Sequence, residues 1–418
     1  MSGRRLSPNL ALNQLVARRR ADGESIVHLG FGEARLPPFR PLVERLVSGA
    51  ERSMYGSVAG GAAVREAAAG YFTRRRIPTT ADRVAVAPGS KPLLMALNMV
   101  IPGDVLLPRP CWNTYAPQAA YAGKRAFGVA IPDECGGVPE PAALRETVRA
   151  ARASGHDPRI VVLTLPDNPT GTLAPPALIR EVCAIAAEED LYLISDEIYR
   201  DLLHDPAQPM LSPAEVLPER TVVTTGLSKS LAIGGWRIGV ARFPGGAWGA
   251  DVLDGVTSFA SEVWSTLAGP MQEVAAYAFA EPVELREHLA ASVRLHAAVA
   301  GAVYRCAVAA GASCRPPTGG FYVYPDFEPV RAALERRGIT DSDSFQRQLL
   351  DEFGVAVLAG HHLGDDRRAL RFKAATGQLY GETEEEQYLA LNAEAPLRLR
   401  HITDKLTRIE ESFAKLCR

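Results

Sequence analysis

Five short runs, RVAVAP, DVLLP, RIVVLTLP, LYLISDE and RTVVTTG, recur along this 418-residue chain with helix-length stretches between them. Each is rich in β-branched and aliphatic residues and is bounded by Pro, Gly or Asp. A strand with one wet face alternates apolar and polar residues, whereas these runs are continuously apolar. They therefore predict strands covered on both sides, as in a mostly parallel sheet sandwiched by helices. The segments between them carry helix signals. In APGSKPLLMALNMVIPGD, Gly89 and Ser90 stand at the cap, Pro92 in the first turn and Pro102-Gly103 at the stop. APPALIREVCAIAAEEDL has helical spacing and leads into a strand at Leu191 to Ile194.

This alternation ends near residue 245, after which the spacing predicts long helices at about 262–280 and 282–311. FYVYPDF, VAVLA and ALRFKAA follow as short strands. A chain of this length exceeds what one core usually supports. The expected class is α/β, with a large sheet domain over 46–281 and a smaller α+β domain built from 1–45 and 282–418.

Composition narrows the partners. With 46 basic and 48 acidic side chains, the formal charge is −2, so no net field draws nucleic acid or an anionic membrane. A small neutral or zwitterionic substrate is expected. Arg18 to Arg20 and Arg74 to Arg76 fall at the ends of helical patterns, where cations complement the dipole. The six cysteines, at 111, 135, 183, 306, 314 and 417, form no CxxC and read as reduced thiols. His361 and His362 are adjacent rather than spaced along one helix face, HExxH is absent, and no metal site is expected. The start, MSGRRLSPNLALNQLVARRR, lacks a signal peptide's apolar run, and no stretch approaches the roughly 18 apolar residues of a membrane span. A cytoplasmic protein is expected.

In open α/β sheets, ligands bind beyond the carboxyl ends of the strands. Unusual polar residues collect at those ends: Gly89, Ser90 and Lys91, then Asn168, Asp196 and Tyr199, and finally Ser228 and Lys229. Lysine is scarce, with six in the chain, and only Lys91 and Lys229 stand at those ends.

The motifs at these ends are LPDNPTG, SDEIY, SKSLAIGGWRIG, APGSKPLLMAL and PRPCWNTY, with HLGFGEARLPP before them and TGGFYVY and ALRF after them. In order and approximate spacing they resemble the class I/II aminotransferases, fold-type I enzymes dependent on pyridoxal 5′-phosphate. The resemblance implies that Lys229 holds the cofactor as a Schiff base and then moves a proton, with Asp196 and Tyr199 completing the catalytic group. It implies that Asp196 keeps the ring nitrogen protonated, and that Asn168 and Tyr199 donate to the ring's phenolic oxygen. Trp112 would stack on the ring. Gly89, Ser90, Lys91, Ser228 and Arg237 would hold the phosphate, joined by Tyr55 from a neighbouring subunit of a homodimer. Gly32, Asn168 and Arg371 would take the substrate carboxylate, with Arg371 as a planar clamp.

The chain departs from the family pattern in three places. Gly32-Glu33-Ala34-Arg35 stands where Gly-Glu-Pro-Asp is common, residues 377–403 are additional, and SFASEVWSTLAGP lacks the arginine of dicarboxylate-specific members. Glu262 in that last segment is a candidate for facing a cationic substrate group, against a plain helix N-terminal role. The expected reaction is transfer of an amino group between an L-amino acid and a 2-oxo acid. The alternative is an elimination, γ-replacement, cyclisation or carbon–carbon bond formation at the same cofactor, for example on S-adenosylmethionine or a cationic amino acid. A DNA-binding regulator is disfavoured because the family pattern starts within about 30 residues of the start, with no recognition helix ahead of it.

Overall fold

The computed structural model describes residues 6–417. Its strands, in chain order, are β1 (Val27–His28), β2 (Val84–Ala87), β3 (Asp104–Arg109), β4 (Ala126–Ala130), β5 (Pro158–Thr164), β6 (Tyr192–Asp196), β7 (Thr221–Gly226), β8 (Gly239–Arg242), β9 (Tyr322–Val323), β10 (Val355–Ala356), β11 (Leu358–Ala359) and β12 (Phe372–Ala375). Seven of them form one sheet in the order β2-β8-β7-β6-β5-β3-β4, in which β8 alone runs against the rest. The five apolar runs of the sequence are β2, β3, β5, β6 and β7. All four residues of β2 and all six of β7 are buried, as strands covered on both faces must be.

Helices cover the two faces and fill separate apolar clusters. Leu144, Val148, Ile179 and Val182 pack with Val161 and Leu163 on one side. On the other, Leu93, Leu97 and Val256 pack with Val105, Ile160 and Val222. The smaller sheets lie elsewhere. β9, β11 and β12 form an antiparallel sheet in the order β11-β12-β9, and β1 pairs in parallel with β10. That last pairing ties the N-terminal segment to the C-terminal part, and both contribute to one cluster containing Leu29, Phe321, Phe327, Phe372 and Phe413.

Two expectations change. The single helix foreseen at about 262–280 is two, Gly246–Val263 and Gly269–Ala280. Ser265 takes a left-handed backbone with φ 60° and Pro270 sits in the first turn of the second helix, so one continuous helix is broken between them. Glu262 consequently lies in the last turn of the first helix rather than at an N-terminus, where its carboxylate accepts from Ser261 Oγ at 2.9 Å. Residues 377–403 are anchored in the core at Leu379, Tyr380, Ala390 and Leu391, and 382–395 otherwise lie at the surface. Thr383 caps the helix Glu384–Asn392 by accepting from the Glu386 amide, and the buried Tyr380 hydroxyl meets His296 Nδ1 at 2.5 Å. The four anchoring residues pack in the same cluster as Phe321.

Candidate active site

A cavity of about 470 Å³ opens where the C-terminal ends of β5, β6 and β7 meet the smaller sheets. Lys229 enters it from the helical turn Leu227–Ser230 that directly follows β7. Its ammonium donates to the carbonyl of Gly32 at 2.5 Å. Burial lowers its pKa to about 8; Glu33 opposes the shift, while Arg237 and Lys91 add to it. A lysine so placed has an appreciable neutral fraction near neutrality.

Asp196 ends β6 and is 1 % exposed. It accepts from the Tyr115 hydroxyl at 2.8 Å and from Thr224 Oγ1 at 3.3 Å. Burial raises its pKa to about 6, and those two hydrogen bonds limit the rise. Asn168 stands in the loop after β5. Its amide donates to the Tyr199 hydroxyl at 3.3 Å, while its Oδ1 is buried without a protein partner. Tyr199 in turn shares a 2.6 Å hydrogen bond with Tyr322 on β9.

The opposite pole of the cavity is cationic. Ser90 and Lys91 open the helix Ser90–Val100 and line the cavity from its N-terminus, where Ser228 and Arg237 join them. Gly89 allows this closure: it has φ 98°, and a Cβ there would lie 2.3 Å from Arg237 Nη2. Lys91 Nζ sits 5.2 Å from the Trp112 ring centroid, and Trp112 meets Tyr115 edge-on at 5.3 Å. Gly32 lies on the far wall against Tyr322, whose hydroxyl would be 2.5 Å from a Cβ at that position.

The structure thus gathers Gly32, Ser90, Lys91, Trp112, Asn168, Asp196, Tyr199, Ser228, Lys229 and Arg237 around one cavity, with Gly89 just behind Arg237. Tyr55, expected at the phosphate of a neighbouring subunit, is 87 % exposed and outside this cavity. One candidate for the cavity itself is not there. Arg371 does not line the cavity: its Nε donates to Asp326 at 2.8 Å and its Nη1 reaches Asp365 at 3.3 Å, so its planar fork is already occupied. Lys373, two residues later, lines the cavity instead. Tyr115, Tyr322, Lys373 and Glu33 were not singled out as site residues by sequence; each lies within a quoted motif or beside a named residue, and nothing short of tertiary pairing distinguishes it there. Away from the cavity, Asp343, His361 and His362 bring possible ligand atoms within 4.8 Å of one another. Asp343 there pairs with Arg367, and His361 Nδ1 with Ser342.

The model for the family described as aminotransferase class I and II matches residues 24–379. The chain belongs to this family. The aspartate/prephenate aminotransferase of Thermus thermophilus is 30% identical to this aminotransferase over 373 residues, covering 85% of this chain and 88% of that one. The aspartate aminotransferase of Bacillus subtilis is 29% identical over 373 residues, covering 86% and 89%. A solved structure of the Thermus thermophilus aspartate aminotransferase with maleate superposes with a TM-score of 0.81 at 25% identity, covering 100% of both chains. The aminotransferase is therefore a transferase dependent on pyridoxal 5′-phosphate. Its cavity fits that group: a buried carboxylate for a ring nitrogen in Asp196, an amide donor in Asn168 beside the Tyr199 hydroxyl for a ring oxygen, an amine in Lys229, and a helix terminus with two cations for a phosphate.

Proposed function

We propose that Lys229 is the proton carrier of an amino transfer between an L-amino acid and a 2-oxo acid. The observation that supports it is the position of Lys229 Nζ, half-buried in the cavity with its pKa drawn down to about 8, between the cationic pole and the Gly32 wall. Pyridoxal phosphate, when bound, supplies an electron sink for negative charge at the substrate's α-carbon. Lys229 Nζ takes the proton from that carbon and returns it on the other side of the transfer. Asp196 would keep the ring nitrogen protonated, with Tyr115 holding the carboxylate in place. Asn168 and Tyr199 would donate to the ring oxygen, Trp112 would offer the ring a flat apolar surface, and Ser90, Lys91, Ser228 and Arg237 would hold the phosphate.

The relatives named for aspartate put acidic amino acids in the donor panel, while the missing arginine in SFASEVWSTLAGP argues against them and makes neutral and cationic donors equally important. The chain works as a homodimer in this reading, with the exposed Tyr55, beside the equally exposed Met54, reaching the partner's phosphate pole. Its free cysteines fit a reducing compartment such as the cytoplasm. No helix among the described residues is long and apolar enough to cross a membrane.

The test is a donor panel of aspartate, glutamate, neutral and cationic amino acids, with and without 2-oxoglutarate, following both products. Equimolar formation of a new 2-oxo acid and glutamate supports the reading. Consumption of the amino acid at an equal rate without an acceptor would mean elimination or cyclisation instead. Lys229→Ala should abolish both half-reactions and leave the fold intact.

A further inference from the structure

Lys373 is a buried cation with no counter-charge. It lies on β12, is 1 % exposed, and lines the same cavity as Lys229. Its one close partner among the described residues is the face of Tyr322, whose ring centroid is 5.3 Å from Nζ. Of the carboxylates around this end of the cavity, Asp326 and Asp365 are held by Arg371, Asp196 accepts from Tyr115 and Thr224, and Glu33 acts on Lys229. An unpaired ammonium in a buried site destabilises the fold and persists where something else answers its charge.

We propose that Lys373 holds the α-carboxylate of the substrate, the place that family resemblance assigns to Arg371. This rests on the amino-transfer reading above and names the anchor for its substrate. Strand geometry separates the two residues. Ala375 is paired with Tyr322 across β12 and β9, and Lys373 shares the face of Ala375 because side chains alternate. Arg371 shares that face too, but it is further along toward the sheet's end, in a bridge with Asp326. One two-residue step, about 7 Å, thus turns a cavity residue into a residue of the rim.

The charges of the cavity divide accordingly. Lys91 and Arg237 stand with the helix N-terminus at one pole, a setting for a phosphate dianion. Lys373 is the cation of the other wall, and Lys229, whose charge it feels, is the group that works on the α-carbon. A carboxylate attached to that carbon is one bond from the atom Lys229 serves. It is therefore the substrate anion placed to meet Lys373. A lysine offers a point charge with rotatable donors where arginine offers a rigid fork, so orientation must come from the neighbours, and Gly32 and Asn168 stand on the same cavity wall.

The test compares Lys373→Met, Lys373→Arg and Arg371→Met as holoenzymes. Pyruvate and 2-oxoglutarate serve as probes, each bound by isothermal titration calorimetry, with KM and kcat measured alongside. Lys373→Met should weaken binding of both acids about 30-fold and raise KM by a similar factor with a smaller change in kcat, as for loss of one charge-assisted contact. Lys373→Arg should recover most of that affinity, and Arg371→Met should stay within about threefold of wild type. Unchanged affinities in Lys373→Met, or the large loss in Arg371→Met instead, would overturn the proposal. Loss confined to 2-oxoglutarate would overturn it too, by moving Lys373 to the distal carboxylate. If the wild type transferred no amino group to any 2-oxo acid, the amino-transfer reading would fail first, a result distinct from these.

Discussion

Tyr115 donates its hydroxyl to Asp196 at 2.8 Å while also meeting Thr164 Oγ1 at 2.9 Å, so a buried carboxylate is held by a residue on a different element of the sheet's edge. That bond favours the charged form of Asp196 and limits the rise that burial imposes.

Removing it with Tyr115→Phe should therefore push the Asp196 pKa above its present value of about 6. The sign follows from the role: a carboxylate facing a ring nitrogen is useful when ionised, and ionisation is lost as pH falls through its pKa. Apoprotein titrated with pyridoxal phosphate should show wild-type affinity falling below about pH 6, and the variant's falling at higher pH. At pH 7 the variant should bind about tenfold more weakly, the worth of one hydrogen bond to a charged group. Parallel pH profiles for the two proteins would refute the coupling.

Lys229 makes a second pH prediction. Its amine must be neutral to react with an aldehyde, and burial has brought its pKa to about 8. Capture of pyridoxal phosphate by apoprotein should accelerate with pH and level off above about 8, whereas an ordinary lysine would go on gaining toward about 10.4. Glu33 works against the shift, so Glu33→Gln should move the plateau to lower pH. Stopped-flow absorbance across pH 6 to 10 reads both, taking that range as about one to two units either side of the expected midpoint. A midpoint that ignores Glu33→Gln would contradict the stated electrostatics.

Lys373 predicts a stability change opposite to that of most buried substitutions. Burial, with a smaller contribution from Lys229, lowers its pKa from 10.5 to about 7. The unfolded chain therefore binds more protons than the folded one between those two values, and this residue's penalty fades as pH rises through that window. Lys373→Met should raise the melting temperature of the apoprotein, most at pH 7 and below, with the gap to wild type narrowing toward pH 9.5, about one unit short of the unfolded value. Thermal denaturation at several pH values measures it. A gap independent of pH would show that the ammonium carries no such penalty.

The sheet was legible because its strands are covered on both faces, which leaves continuous apolar runs such as RIVVLTLP that no amphipathic element produces. Lys229, Asp196 and Asn168 were legible for a related reason: polar residues immediately after such runs must face the end of the sheet. The other wall of the cavity was not. Arg371 and Lys373 have the same parity on one strand, and sequence spacing cannot say which is claimed by Asp326, 45 residues away. Tyr115 reads as an ordinary first residue of a helix until Asp196, 81 residues later, is folded against it. Asn9 and Leu10, from the N-terminal helix, reach the cavity with no local signal at all. The break after Val263 was missed because the apolar periodicity of its flanks is uninterrupted and a positive φ at Ser265 is invisible in composition.

Gly32 offers a test of how tightly that less legible wall is set. A methyl group on it would stand 2.5 Å from the Tyr322 hydroxyl, which cannot simply swing aside because it is bound to Tyr199 at 2.6 Å. Gly32→Ala must therefore displace Tyr322, disturb Tyr199, and loosen Asn168, whose amide bonds the Tyr199 hydroxyl. Overpacking of a filled site typically costs about 1–3 kcal/mol, so kcat/KM should fall about tenfold or more. Tyr322→Phe removes the atom that clashes. If that contact is the cause, adding Tyr322→Phe to Gly32→Ala should recover much of the loss, giving a favourable coupling of about 1 kcal/mol in the double-mutant cycle. Additive losses would mean that Gly32 matters for its carbonyl to Lys229 or for chain flexibility, and that Tyr322 is not what requires the glycine.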